Sequence, residues 1–380
     1  MDVFLQILCE EMMTMEYRKL PHGGENISII GFGNSSLGES DEKEMEATIA
    51  EAVEKGVNYF DMAAGHASAF RPYGTVIGSG ADRKKVYYQV HFGADYTTGQ
   101  YGWTLNLDDI KKSIDWQLES LKTDYIDFGF IHCIDEEADL QKATDAGTID
   151  YIKELKKQGV INHIGLSTHT PGIAGMVMDM NIIDVLMFSI NPAYDYNHGD
   201  YAFGSGNERY DLYRRCETEG VGITVMKPFC GGQLLDGATS PFGVAMSEYQ
   251  CIQYALDRPG VMTVLPGCRN RQDLRKVLGY LDASKEERDY SAIGSYTPKE
   301  TKGACVYCNH CQPCPAGLDV GLINKYYDLS MARDILARDH YMNLEKTAKD
   351  CIKCGHCDSR CPFGVNQTGR MEEIAAYFGK

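Results

Sequence analysis

From residue 26 to residue 281 short apolar runs, rich in Val, Ile, Tyr and Phe, alternate eight times with runs of helical period. Strands patterned in this way are buried on both faces, which only a parallel sheet covered by helices provides. The runs predict strands over 27–33, 57–61, 86–92, 125–132, 161–167, 185–191, 222–227 and 261–265. Between them Met45, Ile49 and Val53 share one helical face, Ile110, Ile114, Leu118 and Leu121 a second, and Leu274, Val277, Leu278 and Leu281 a third. Eight units in sequence favour a closed (βα)8 TIM barrel, an α/β fold, over an open doubly wound sheet. Gly31-Phe32-Gly33 lacks the spacing of a dinucleotide-binding glycine loop, which weakens the open-sheet alternative. The barrel is expected over 15–281, its first residues forming a hairpin that turns at His22-Gly23-Gly24 and plugs the bottom. Residues 1–14 are read as an N-terminal extension.

The C-terminal segment has a different constraint. CVYCNHCQPCP begins at Cys305 and CIKCGHCDSRCP at Cys351. Three closely spaced thiolates wrap three irons of a cubane, and the fourth Cys of each run crosses to the other cluster. This predicts two [4Fe-4S] clusters, one on Cys305, Cys308, Cys311 and Cys361, the other on Cys351, Cys354, Cys357 and Cys314. Structural zinc needs no fourth Cys followed by Pro in each run. Disulfides do not suit four thiols packed so closely in a chain without a secretion signal. Between the runs Leu322, Ile323, Tyr326 and Leu329, then Ile335 and Leu336, have helical spacing. An all-helical, two-cluster ferredoxin-like domain is expected over 304–380, after a polar linker at 282–303.

The 380 residues carry a net charge of -17, to which thiolate-bound clusters add. Nucleic acid and anionic membrane surfaces are therefore poor partners. No apolar run reaches the length of a membrane span, and Asp2 with the following acids does not fit a signal peptide. A cytoplasmic location is expected, with thiols kept reduced.

Chemistry in such a barrel gathers where strands end. The ends here carry Asp61, His91, His132, Ser167 with Thr168 and His169, Asn191 with Tyr194, and Lys227. So many ionisable groups at one mouth need partners or a function. The successive segments VNYFDMA at Val57, IDFGFIHC at Ile126, HIGLSTHTP at His163, LMFSINPAYDY at Leu186, GITVMKPFCGGQLL at Gly222 and VLPGCRNRQDL at Val264 resemble the strand ends of the aldo/keto reductase family. With the trailing cysteines, the chain is similar to the branch of that family bearing a C-terminal 4Fe-4S ferredoxin-type domain.

The resemblance implies an NAD(P)H-dependent carbonyl reductase with an Asp, Tyr, Lys and His tetrad. Asp61 matches the Asp and His132 the His. His91 stands where the Lys belongs, in VYYQVHFG, and His66 where the Tyr belongs. Imidazoles titrate near neutrality unaided, so His66, His91 and His132 are read as an acid-base cluster oriented by Asp61. A satisfied pore His91 with His66 in a loop, or a metal held by the three rings, are the alternatives. For the nicotinamide carboxamide the family uses Ser and Asn after strand five and Gln after strand six. Ser167 is kept, Thr168 replaces the Asn, and Pro192, after Asn191, replaces the Gln. Gly267, Arg269 and Arg271 open the last helix, an anion seat for a cofactor phosphate. Lys227 is a second cation, for a substrate carboxylate or a phosphate, with a Schiff base or a structural salt bridge as the alternatives.

Clusters move single electrons and nicotinamide moves hydride, so joining them needs a flavin or a substrate that accepts electrons singly. The expected function is an iron-sulfur oxidoreductase that reduces a small carbonyl or related oxygenated substrate. Its electrons would be relayed by the clusters, with NAD(P) or flavin as candidate barrel cofactors and a ferredoxin-type protein as candidate donor. The alternative is an electron carrier whose barrel is catalytically degenerate.

Overall fold

The computed structural model describes residues 14–199, 201–291, 293, 303, 305, 311–331, 338, 341–361 and 363–380. The chain divides into two compact units, Met1–Pro241 with Ala245–Arg288, and Phe242–Val244 with Asp289–Lys380. Residues 1–13, residues 292 and 294–302 of the segment joining barrel to cysteine runs, Cys308, and the expected helix positions Ile335 and Leu336 lie outside the described residues.

In the first unit, β1 (Tyr17–Lys19) and β2 (Asn26–Ser28) form the antiparallel hairpin, with Arg18 opposite Ile27. The barrel strands follow as β3 (Phe32–Gly33), β4 (Tyr59–Asp61) and β5 (Tyr87–Phe92). A two-strand ribbon, β6 (Ala94–Asp95) and β7 (Gly102–Trp103), interrupts them before β8 (Ile126–Ile131), β9 (Ile161–Thr168), β10 (Val185–Ser189), β11 (Gly222–Met226) and β12 (Val261–Val264). The eight-stranded sheet runs β12-β11-β10-β9-β8-β5-β4-β3, and its paired neighbours are parallel. Bridges Ile30–Val264 and Gly33–Gly267 bring β3 back beside β12. The amide of Gly31 donates to the carbonyl of Val264 at 2.9 Å and that of Gly33 to Pro266 at 3.0 Å.

The strand expected over 27–33 is two pieces. Its first half belongs to the hairpin and its second to the barrel, with the change of partner at Ile29 to Gly31. Gly31 sits where a Cβ would come within 2.7 Å of Leu265 and 2.9 Å of the Tyr59 carbonyl, so the crossing needs a residue without a side chain. Leu20 and Ile27 of the hairpin segment share a buried cluster with Tyr59, Phe128, Val185, Met187 and Met262, which closes the bottom of the barrel. Helices start where the sequence supplies caps. Asn106 accepts from the amides of Asp108 and Asp109, and Ser205 and Ser247 form capping boxes with Glu208 and Gln250.

The described elements of the second unit are helical: Val320–Met331, the short turn Ala348–Asp350, His356–Arg360 and Gln367–Phe378. Val320, Ile323 and Tyr327 pack with Met371, Ile374 and Phe378. The rings of Tyr341 and Phe378 stack at 3.8 Å. Among the described residues no helix is long and apolar enough to cross a membrane.

Candidate active site

Asp61 ends β4, His91 is the penultimate residue of β5, and His132 directly follows β8. These strands are neighbours in the sheet, so three side chains from three strand ends meet at one place. All three are buried. Asp61 Oδ1 lies 2.7 Å from His91 Nε2, and His91 Nδ1 lies 2.9 Å from His132 Nδ1. His132 Nε2 in turn lies 2.8 Å from the Tyr101 hydroxyl. Tyr101, which the sequence reading did not single out, is 41% exposed, so the chain ends in a phenol open to the mouth.

The donors along this chain have one order when both rings are neutral. Asp61 Oδ1 accepts from His91, from Gln89 Nε2 at 3.1 Å and from the Ala63 amide at 3.1 Å. Three donors on one oxygen are the pattern of an ionised carboxylate. His91 therefore donates from Nε2 and accepts at Nδ1, His132 donates from Nδ1 and accepts at Nε2, and Tyr101 donates its hydroxyl proton. The tautomers follow from the network. Gln89 is held by Tyr59 and Thr224, both donating to its Oε1, so the amide cannot turn its oxygen toward Asp61.

Burial, with the neighbouring His91 and His169, holds the His132 imidazole well below the usual histidine range, against the opposite pull of Asp135. His132 is thus neutral in the folded chain at pH values where an unfolded histidine, near about 6.5, takes up a proton. The stability His132 contributes is present above that unfolded value and declines as pH falls toward the lower folded one. The margin by which wild type exceeds His132→Gln in urea unfolding is expected to be smaller at pH 5.5 than at pH 7.5. A margin independent of pH would contradict a neutral His132.

The fourth member of the expected cluster is not brought in. His66 is half-buried, and its Nδ1 pairs with the Ser68 hydroxyl at 2.8 Å and accepts from the Ser68 amide at 3.0 Å, capping a short turn. Tyr101 occupies the chain's outer end instead. The ribbon of β6 and β7 folds over the mouth, pinned where Trp103 Nε1 donates to the His132 carbonyl at 3.3 Å. Gly93 makes this fold possible at φ +129°, where a Cβ would meet His132 Cβ at 3.2 Å.

The residues expected to grip a nicotinamide are engaged within the protein. Ser167 Oγ accepts from the Cys133 amide at 2.8 Å, Thr168 Oγ1 donates to Asp135 at 3.0 Å, and Asn191 caps Pro192–Asp195 while donating to the Lys227 carbonyl. At the last helix, Arg271–Leu278, the guanidinium of Arg269 pairs with Asp273 and that of Arg271 with Glu44. The Arg271 amide donates to Glu44 as well, so carboxylates of the barrel fill the expected anion seat beside Gly267. These pairs are exposed, so solvent and salt screen them and they add little to stability.

Lys227 follows β11 with φ 54°, its Nζ 4.1 Å from the centre of the Tyr201 ring. Burial pulls its ammonium below the usual lysine range, while Cys133, Cys230 and Asp135 pull the other way. Among the described residues no carboxylate pairs with it within salt-bridge distance. Burial pushes the neighbouring Cys133 thiol up to about 11, which makes it a poor nucleophile.

In the second unit one cavity is lined by Cys314, Cys351, Cys354 and Cys357, with apolar walls from Leu318, Val320, Ile352 and Met371. Cys314 comes from the first cysteine run and the other three from the second. The Lys353 amide, at φ 54°, donates to Cys351 Sγ at 3.4 Å, and Gln367 Nε2 donates to Cys305 Sγ at 3.5 Å. Thiols without disulfide partners around a largely apolar pocket, with N–H groups aimed at sulfur, suit an iron-sulfur cluster.

Residues 29–248 match the aldo/keto reductase family, and residues 302–365 match the 4Fe-4S dicluster domain. An uncharacterized oxidoreductase of Bacillus subtilis, YqkF, is 30% identical over 312 residues, covering 75% of this chain and 98% of the relative. L-galactose dehydrogenase of Arabidopsis thaliana is 28% identical over 235 residues, covering 59% of this chain and 69% of the relative. Among solved structures, the holo form of the aldo-keto reductase AKR11C1 from Bacillus halodurans superposes with a TM-score of 0.58 at 21% identity. It covers 73% of this chain and 95% of that one.

Proposed function

The chain belongs to the aldo/keto reductase family and is an oxidoreductase with an iron-sulfur domain; from that premise we propose that it interconverts a small carbonyl compound and its alcohol at the Tyr101 end of the Asp61–His91–His132 chain. The observation that carries this reading is the unbroken line of hydrogen bonds from a buried carboxylate to an exposed phenol. In the order derived above, every member can pass a proton inward. A substrate hydroxyl gives its proton to Tyr101, Tyr101 to His132 Nε2, His132 to His91 Nδ1, and His91 to Asp61. Carbonyl reduction is the reverse: a proton taken up at Asp61 moves outward and Tyr101 protonates the substrate oxygen. Burial, with Cys133 and Tyr201 nearby, pushes the Tyr101 phenol up to about 12. The phenol therefore stays protonated at neutral pH and loses its proton only when the substrate oxygen becomes strongly basic.

Two [4Fe-4S] clusters, on Cys305, Cys308, Cys311 and Cys361 and on Cys351, Cys354, Cys357 and Cys314, would supply the two electrons for each carbonyl one at a time, with the Tyr101 proton going to the substrate oxygen and a second proton, from solvent, to the carbonyl carbon. The cavity residues fit one of them. A nicotinamide or flavin has less to hold it, because Ser167, Thr168, Asn191, Arg269 and Arg271 already have partners in the protein. Lys227 remains as the cation for a substrate carboxylate. The test is anaerobic turnover of glyceraldehyde by the iron-replete chain, with reduced methyl viologen and NADPH as separate donors. Turnover with the viologen is expected, and turnover with NADPH alone would overturn the electron route.

A further inference from the structure

A second polar group stands at the barrel mouth outside the Asp61 chain. Asp135 Oδ1 accepts from the Thr168 hydroxyl at 3.0 Å and the His169 amide at 2.6 Å. Its Oδ2 accepts from His169 Nδ1 at 3.0 Å and faces the Cys133 thiol at 3.9 Å. Donors on both oxygens identify an ionised carboxylate, so the ring proton of a neutral His169 sits on Nδ1 and Nε2 bears a bare lone pair.

That Nε2 is buried and has no hydrogen-bond partner among the described residues, although His169 is only 5% exposed. Buried acceptors are nearly always met, so an orphan at a barrel mouth points to a donor that arrives with the ligand. The ring is held for it: Tyr201 stacks on the imidazole at 4.4 Å, and Lys227 Nζ lies over the Tyr201 ring. The group also adjoins the proton chain. Cys133 directly follows His132, and Ser167, two residues before His169, reaches both the Cys133 amide and His132 Nδ1, the latter at 3.4 Å.

We propose that His169 Nε2, oriented by Asp135, accepts a hydrogen bond from a hydroxyl group that the substrate carries beside its reacting carbonyl, so that the site selects hydroxy-carbonyl compounds over their deoxy counterparts. This rests on the carbonyl reading above and names its substrate class. Cys133, Asp135 and His169 also bring three ligand-type atoms within 4.8 Å of one another, a spacing that suits a divalent cation. The proton already bridging Nδ1 and Asp135, and the ammonium of Lys227 close to Cys133, argue for the hydrogen-bonded dyad.

The test compares glyceraldehyde with propanal, using the full iron-replete chain under anaerobic conditions with reduced methyl viologen. Wild type is expected to favour glyceraldehyde in kcat/KM by about tenfold or more. His169→Phe keeps a ring for Tyr201 to stack on and should bring the ratio toward one. A ratio unchanged in His169→Phe, or no preference in wild type, would overturn the inference while leaving carbonyl reduction standing. Imidazole 15N NMR of the oxidised wild type gives a reading free of turnover and of any folding defect in the variant. Glyceraldehyde should shift His169 Nε2 and propanal should not. If that shift appears but neither aldehyde is reduced, the recognition site stands and the proposed reaction fails. Stoichiometric zinc bound by the wild type and lost in His169→Phe would overturn the inference in favour of a metal.

Discussion

Replacing His132 with Phe is expected to lower turnover by about 10²- to 10⁴-fold, the range for loss of a positioned acid-base group, while the cluster absorption of the protein is unchanged. The expectation follows from the position of His132 in the middle of the line. Its Nδ1 meets His91 and its Nε2 meets Tyr101, so removing it severs the carboxylate from the phenol. Phe fills the same space but leaves His91 Nδ1 as a buried acceptor without its donor, at about 1–3 kcal/mol. His132→Gln separates that loss of stability from the loss of the relay, because an amide restores hydrogen bonding but does not take up and release a proton. Turnover should remain low in both variants. Near-wild-type kcat in His132→Gln would reduce His132 to a positioning residue.

Cys314→Ala is expected to remove about half of the iron, a whole cluster, although three of that cluster's four ligands lie in the other cysteine run. The cavity that gathers Cys314 with Cys351, Cys354 and Cys357 is the basis for this expectation. Pairwise variants make the crossing visible in iron analysis. Cys314→Ala with Cys354→Ala should lose no more iron than either change alone, since both strike one cluster. Cys314→Ala with Cys305→Ala should lose nearly all of it. The opposite pattern would mean that each run holds its own cluster with its own four thiols. Leu318, Val320 and Met371 of the cavity wall also belong to the unit's apolar core, so loss of this cluster should also loosen the unit's helices.

The barrel was readable because its strands are continuous apolar runs and its helices carry period 3.6, and both patterns survive without knowledge of neighbours. The strand ends were readable for the same reason, which is why Asp61, His91 and His132 could be named together. Tyr101 could not. It lies in a connection between strands, and only the β6–β7 ribbon and the permissive backbone of Gly93 return it to His132. A tyrosine close to a Gly-rich turn, Gly99 to Gly102, was the only local signal. His66 failed in the opposite way. Its spacing from Asp61 fitted the family pattern, but the backbone turns there and the ring caps Ser68. Asp135 was not singled out because it lies three residues beyond His132 in a loop, and its pairing with His169 forms only in the folded barrel. Pairing cannot be read from one strand end when the partner comes from a connection.

A single turnover decides whether the clusters feed the barrel. Iron-replete protein, reduced with dithionite and freed of excess reductant under anaerobic conditions, is mixed with glyceraldehyde in a stopped-flow cell while cluster absorption and alcohol formation are followed. Cluster absorption is expected to return in step with product, about two electrons leaving the clusters for each carbonyl reduced. Clusters that stay bleached while product forms would contradict this expectation.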